Sequence, residues 1–178
     1  MIIAAPTGSG KTKAIIDIIK NVNVPALYLI NRVAPLLQFK KDYVKATKNI
    51  DIPIEAIDIV FLGDNVTALT YQKFAEIAYQ YKGKKCMIIL DEVHCLLEDA
   101  TFSVYPEKFV RYLKSNLDNT SRIYLTATPD AISPGIAYAE STAGAGEALE
   151  TITWDTEVKS VRYGYAYYLS LIHISEPT

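Results

Sequence analysis

Residues 5–12 read APTGSGKT, and their setting constrains the chain more than any other feature: an apolar run over residues 2–5 leads straight in, and helical periodicity begins near Lys11. A strand that turns through two glycines into an amphipathic helix demands a layered α/β arrangement, because the helix must bury its apolar stripe on the sheet that feeds it. Gly8 and Gly10 have no Cβ, so the backbone can bend tightly and point successive N–H groups at one anion. The helix adds the positive end of its dipole. Pro6, Thr7, Gly8, Ser9, Gly10, Lys11 and Thr12 are therefore candidate phosphate-binding residues, in which Lys11 reaches terminal phosphates and the Thr12 hydroxyl ligates magnesium.

The rest of the chain keeps this rhythm. Short runs rich in Ile, Val, Leu and Tyr predict strands over 2–5, 26–30, 57–62, 87–91 and 122–126. Between them Ile15, Ile16, Ile19 and Val22 recur at helical spacing, as do Phe74, Ala75, Ala78 and Tyr81, and then Phe109, Val110, Leu113 and Leu117. Strands alternating with helices predict an α/β sandwich with a mainly parallel central sheet and helices on both faces. At 178 residues, half of them hydrophobic, the chain suits one core. No stretch holds the roughly eighteen apolar residues of a membrane helix, and no basic-then-apolar leader opens the chain, so we expect a cytoplasmic protein without a membrane partner. Cys86 and Cys95 lack CxxC spacing and read as buried thiols.

A second chemical signal lies at residues 86–94, CMIILDEVH, a buried-looking strand that ends in adjacent carboxylates. Two acids opposite a phosphate cradle can divide the work of phosphate hydrolysis: Asp91 holds the metal, and Glu92 orients and deprotonates water. Strand-end acids also serve to cap a following helix, and it is the phosphate loop upstream that favours the chemical reading. Chemistry alone assigns no task to His94.

Net charge is −2 and the isoelectric point about 5.7, so any nucleic-acid contact must be local rather than global. Lys40, Lys41, Lys45 and Lys48 form the densest basic run, a spacing that fits either a solvated helix face or such a contact. The Gly/Ala-rich stretch over 141–146 reads as a loop; Leu149 stands where a dinucleotide fingerprint needs its third glycine. We expect one domain over residues 1–150 and the start of a linker over 151–168. We expect residues 169–178 to be a non-native tail, since SLIHISEPT at 170–178 resembles a translated sequencing adapter.

APTGSGKT at residues 5–12, DEVH at 91–94 and TATP at 126–129 together resemble the first three signature motifs of superfamily-two helicases of the DExH branch. Asn31-Arg32 followed by Leu36, Leu37 and Gln38, and Thr70-Tyr71-Gln72, are similar to two further segments of that family. Over residues 2–129 the resemblance implies a three-layer, RecA-like P-loop NTPase fold in which the strand carrying Thr126 lies between those carrying the phosphate loop and Asp91. It implies ATP and Mg²⁺ as ligands, with Lys11, Asp91, Glu92 and His94 as catalytic residues and Thr12 and Asp91 at the metal. By the same resemblance His94, Thr126, Ala127 and Thr128 couple the nucleotide site to nucleic acid, DNA or RNA, and Arg32 and Thr70 sit near its backbone.

That family also works with a second RecA-like domain that supplies arginine fingers, so a parent carrying such a domain is expected. This chain alone should then bind ATP and hydrolyse it weakly. The alternatives are a P-loop motor of another class, such as a DNA-packaging enzyme, and a nucleotide-binding regulatory module without useful hydrolysis. An intact Glu92 speaks against the last.

Overall fold

A computed structural model describes residues 1–6, 8–59, 62–63, 65–99, 105–115, 120–142 and 151–153. Among these, six strands form one sheet in the order β3-β2-β4-β5-β1-β6, every neighbouring pair parallel. The strands are β1 (Ile2–Ala4), β2 (Ala26–Ile30), β3 (Val66–Thr70), β4 (Cys86–Leu90), β5 (Thr120–Thr126) and β6 (Thr151–Thr153). β5 lies between β1 and β4, the order that the helicase resemblance implied and periodicity alone did not reveal. β6 pairs with the outer side of β1, so the sheet runs past residue 150.

Helices cover both faces. They are α1 (Lys11–Asn21), α2 (Val33–Lys48), α3 (Tyr71–Ile77), α4 (His94–Asp99), α5 (Tyr105–Ser115) and α6 (Pro129–Thr142). One apolar layer joins Ile15, Ile16, Ile18 and Ile19 of α1 and Leu36, Phe39 and Val44 of α2 to Ala26, Tyr28 and Ile30 of β2. The opposite layer joins Leu27 and Leu29 of the same strand to Phe74 of α3, Phe109 and Tyr112 of α5 and Ile136 of α6. Successive β2 residues thus feed opposite layers, as the two-residue period of a strand requires. All five residues of ALYLI are buried because both faces are covered.

Three expectations need correction. Over 57–62 the chain forms no strand at Ile57–Ile59 but a single 3-10 turn, and Phe61 lies outside the described residues. Turns at Pro53 and Ile54 lead into it, with Ala56 N donating to Pro53 O at 3.1 Å, and Ile57 buries itself completely beside α2. The third strand is instead VTALT at Val66–Thr70, whose β-branched residues suit a pleated edge and whose Val66 and Ala68 face the α2 layer. The helix through Phe74 ends at Ile77, and Ala78–Tyr81 tightens into a 3-10 turn. At 141–146 the expected loop begins late, because α6 continues through Ser141 and Thr142; residues 143–146 and Leu117 lie outside the described residues.

Candidate nucleotide site

Registers place the site. Ala4 stands level with Thr126, so β1 and β5 end together, and β4 ends at Leu90, level with Tyr124, so that Asp91 follows it toward the same carboxyl edge of the sheet, where α/β proteins put their ligands. Ala5 N donates to Thr126 O at 3.0 Å, after which the chain leaves the sheet. Gly8 and Gly10 then take φ of 80° and 90°, values that L-residues rarely adopt, and a Cβ at either position would meet nothing within 4 Å. Backbone conformation, not lack of space, makes them glycines. Gly10 starts α1 without any side-chain cap, and the buried Ser9 Oγ has no hydrogen-bond partner. Pro6 is exposed, Thr12 is half-buried on the first turn of α1, and Thr7 lies outside the described residues. Lys11 folds its ammonium back over the loop and donates to Ala5 O at 2.8 Å and Pro6 O at 3.5 Å.

Asp91 follows β4 directly and is 6% exposed. Its N–H donates to Leu29 O at 2.8 Å, which prolongs the β2 pairing by one bond. Its Oδ1 accepts from Glu92 N at 3.0 Å and its Oδ2 from the Tyr28 hydroxyl, while its carbonyl oxygen accepts from the Tyr71 hydroxyl at 2.8 Å. Burial pushes the Asp91 carboxyl above its ordinary range. The Tyr28 bond, the Lys11 charge and the Glu92 N–H oppose that, and the Glu92 charge adds to it. Burial, and next the Asp91 charge, raise the Tyr28 phenol well above its usual value, so it stays a donor. Tyr71 enters the sequence reading only within Thr70-Tyr71-Gln72 and Tyr28 only within the strand over 26–30, although a tyrosine inside an otherwise aliphatic strand signals a hydroxyl in need of a partner.

Glu92 takes the left-handed conformation, φ 52°, unusual for a residue with a side chain. This turns its carboxylate between the phosphate loop and α4: Oε1 lies 3.8 Å from Lys11 Nζ, and Oε2 lies 3.3 Å from His94 Nδ1, a contact out of line for a hydrogen bond. Lys11, Asp91, Glu92 and His94 are thereby brought together.

Other candidates are more occupied locally. Thr126 is buried, and its Oγ1 accepts from Thr128 N at 3.0 Å, a bond that holds the turn after β5; Ala127 and Thr128 are exposed. Thr70 caps α3 by accepting from Lys73 N at 3.2 Å. Arg32 is exposed at the start of α2, where its carbonyl accepts from Leu36 N at 3.3 Å. In the basic run, Lys40 pairs with Asp58 at 2.8 Å, and Lys41 and Lys45 approach Asp51 at 3.3 and 4.0 Å. Their charge is met by the chain itself, which favours the solvated-face reading.

No three of His, Cys, Asp and Glu form a metal-holding group among the described residues. Magnesium takes one or two protein oxygens and completes its shell with phosphate and water, so it needs no such group. A buried carboxylate at one strand end, a hydroxyl at Thr12, and an unpartnered Ser9 Oγ beside two left-handed glycines fit such a group and its phosphates.

Comparison with known proteins agrees with this geometry. The family described as type III restriction enzyme, res subunit, matches residues 1–131. Among curated proteins nothing matches the chain.

Proposed function

The chain belongs to the type III restriction enzyme res-subunit family, and its RecA-like fold is that of a superfamily-two helicase ATP-binding domain; from this premise we propose that it binds ATP with Mg²⁺ and hydrolyses it under the control of nucleic acid. The observation that carries the reading is the convergence of Lys11, Asp91 and Glu92 at the carboxyl edge of β1 and β4. Backbone N–H groups of the glycine turn and of the first turn of α1 receive the phosphates, and Lys11 leaves its loop carbonyls to meet them. Thr12 and Asp91 hold the Mg²⁺, which when bound neutralises charge on the phosphate oxygens. Glu92, already aimed at the loop, orients the attacking water and accepts its proton.

Coupling is assigned to His94, which shares the Glu92 carboxylate, and to the turn of Thr126, Ala127 and Thr128, which is tied to the phosphate loop through Ala5 N. Arg32 and Thr70 are proposed to lie toward the nucleic-acid backbone. A second RecA-like domain, expected from the same resemblance, would complete the catalytic charge, so turnover by this chain alone is low. No helix among the described residues is long and apolar enough to cross a membrane.

The test is direct. Nucleotide affinity and ATP turnover are measured with Mg²⁺, alone and with single-stranded and duplex DNA and RNA. ATP binding with a change in affinity or rate on adding nucleic acid supports the reading. Failure to bind ATP rejects all of it, and indifference to every nucleic acid rejects the coupling.

A further inference from the structure

Tyr28 is the only residue of ALYLI whose side chain carries a polar atom, and it sits at the middle of the strand, deep in the sheet. A phenol there must find an acceptor, and it finds Asp91 Oδ2. The ring has little freedom. It stacks on Phe39 of α2 with centroids 3.7 Å apart and planes within 6°, and Phe39 in turn stacks on Tyr43. Strand and aromatic column together set where the hydroxyl stands. On the other side Asp91 Oδ1 accepts from Glu92 N, so each carboxylate oxygen has its own donor and the group cannot swing about its Cβ–Cγ bond without breaking one of them.

We propose that Tyr28 is a positioning residue for the metal–nucleotide complex: its hydroxyl, held by the stack on Phe39, fixes the Asp91 carboxylate before the metal arrives. Hydrogen bonds behind a liganding carboxylate hold it in a productive orientation, and their loss typically costs 10–100-fold in metal affinity. The inference rests on the function proposed above. It adds that the second strand, far from the phosphate loop in sequence, governs the metal side of the site.

Tyr28→Phe removes one oxygen and keeps the stack. Mn²⁺ binding is followed by electron paramagnetic resonance in the presence of a non-hydrolysable ATP analogue, and affinity for the same analogue is measured without metal. We expect Tyr28→Phe to weaken Mn²⁺ about 10–100-fold while metal-free nucleotide affinity stays within about twofold, a split that a merely structural role would not produce. Phe39→Leu, which loosens the ring but keeps the hydroxyl, is expected to weaken Mn²⁺ by a smaller factor, and it decides the matter if Tyr28→Phe melts too low to assay. Mn²⁺ affinity within about twofold of wild type in the folded variant overturns the inference and leaves the proposed function standing. A wild-type protein whose nucleotide complex takes up no Mn²⁺ overturns both.

Discussion

Lys11 Nζ lies 3.8 Å from Glu92 Oε1, so the chain segments leaving β1 and β4, strands separated by β5, meet in one ion pair above the edge of the sheet. With Glu92 about a third exposed, a pair of this kind contributes roughly 0–1 kcal/mol. That is too little to explain why Glu92 holds a left-handed backbone conformation, which by itself costs about 1–2 kcal/mol. The conformation is better understood as the cost of aiming a carboxylate at the phosphate loop.

Lys11→Ala removes the cation proposed to serve the phosphates, and its hydrogen-bond partners are loop carbonyls. Nucleotide affinity should fall by about 2–5 kcal/mol, or roughly 30-fold and more, with little change in melting temperature. Titration of a fluorescent ATP analogue measures this; an unchanged affinity would withdraw the assignment of the phosphate loop.

Glu92→Gln keeps the shape of the side chain and discards its basicity. Single-turnover phosphate release should slow by about 10²–10⁴-fold, while nucleotide binding stays within a few-fold of wild type. Equal losses in binding and in turnover would point to a structural task for Glu92 instead.

Asp91→Asn should make the ligand-free protein more stable at neutral pH. The carboxylate is buried and its desolvation outweighs the donors around it, so the neutral isostere, whose oxygen can accept from Glu92 N while its amide donates to the Tyr28 hydroxyl oxygen, relieves that burden. A rise in melting temperature of about 2–4 °C, the scale of ~1 kcal/mol in a domain this size, is expected in calorimetry without metal. A lower melting temperature would mean that the hydrogen bonds to the charge more than offset its desolvation.

Acid should weaken the fold through Glu140. Burial alone would raise its carboxyl, but the bidentate hydrogen bonds from Arg122, the Tyr124 hydroxyl and the Arg122 charge bring it below the ordinary range. A depressed folded value means stability that is present above the unfolded glutamate range and is lost as pH falls through the folded value. Arg122 and Glu140 side chains are only 11% and 10% exposed, so Glu140→Gln strands a buried guanidinium and should cost about 3 kcal/mol or more at pH 7. In urea titrations from pH 7 to 3 the variant should lie below wild type at neutral pH and converge on it in acid; parallel curves would refute the assignment.

Much of the architecture is legible along the chain because its signals are local. β1, β2 and β4 are apolar runs buried along their whole length, β5 carries the buried apolar run Ile123, Tyr124 and Leu125, and α1 shows its stripe in Ile15, Ile16 and Ile19. The third strand is not legible. Ile57 and Ile59 mimic a strand, but proline and the turns before them let Ile57 reach the core without pairing, and the weaker pattern VTALT takes the place beside β2. Propensity there is settled by which segment can reach the open edge of the sheet.

From its residues alone the chain determined a strand–glycine turn–helix, a strand tipped with two acids, and a fold of alternating layers, because each depends on neighbours a few positions apart. Only the tertiary structure decided that Lys11, Glu92 and His94 share one edge, that Asp91 is held by hydroxyls from β2 and α3, and that Lys40, Lys41 and Lys45 of α2 lie against Asp58 and Asp51. Lys11 meets Glu92, and Asp91 meets Tyr28 and Tyr71, from segments far apart in the chain, so these contacts exist only once strand order and register have brought the segments together.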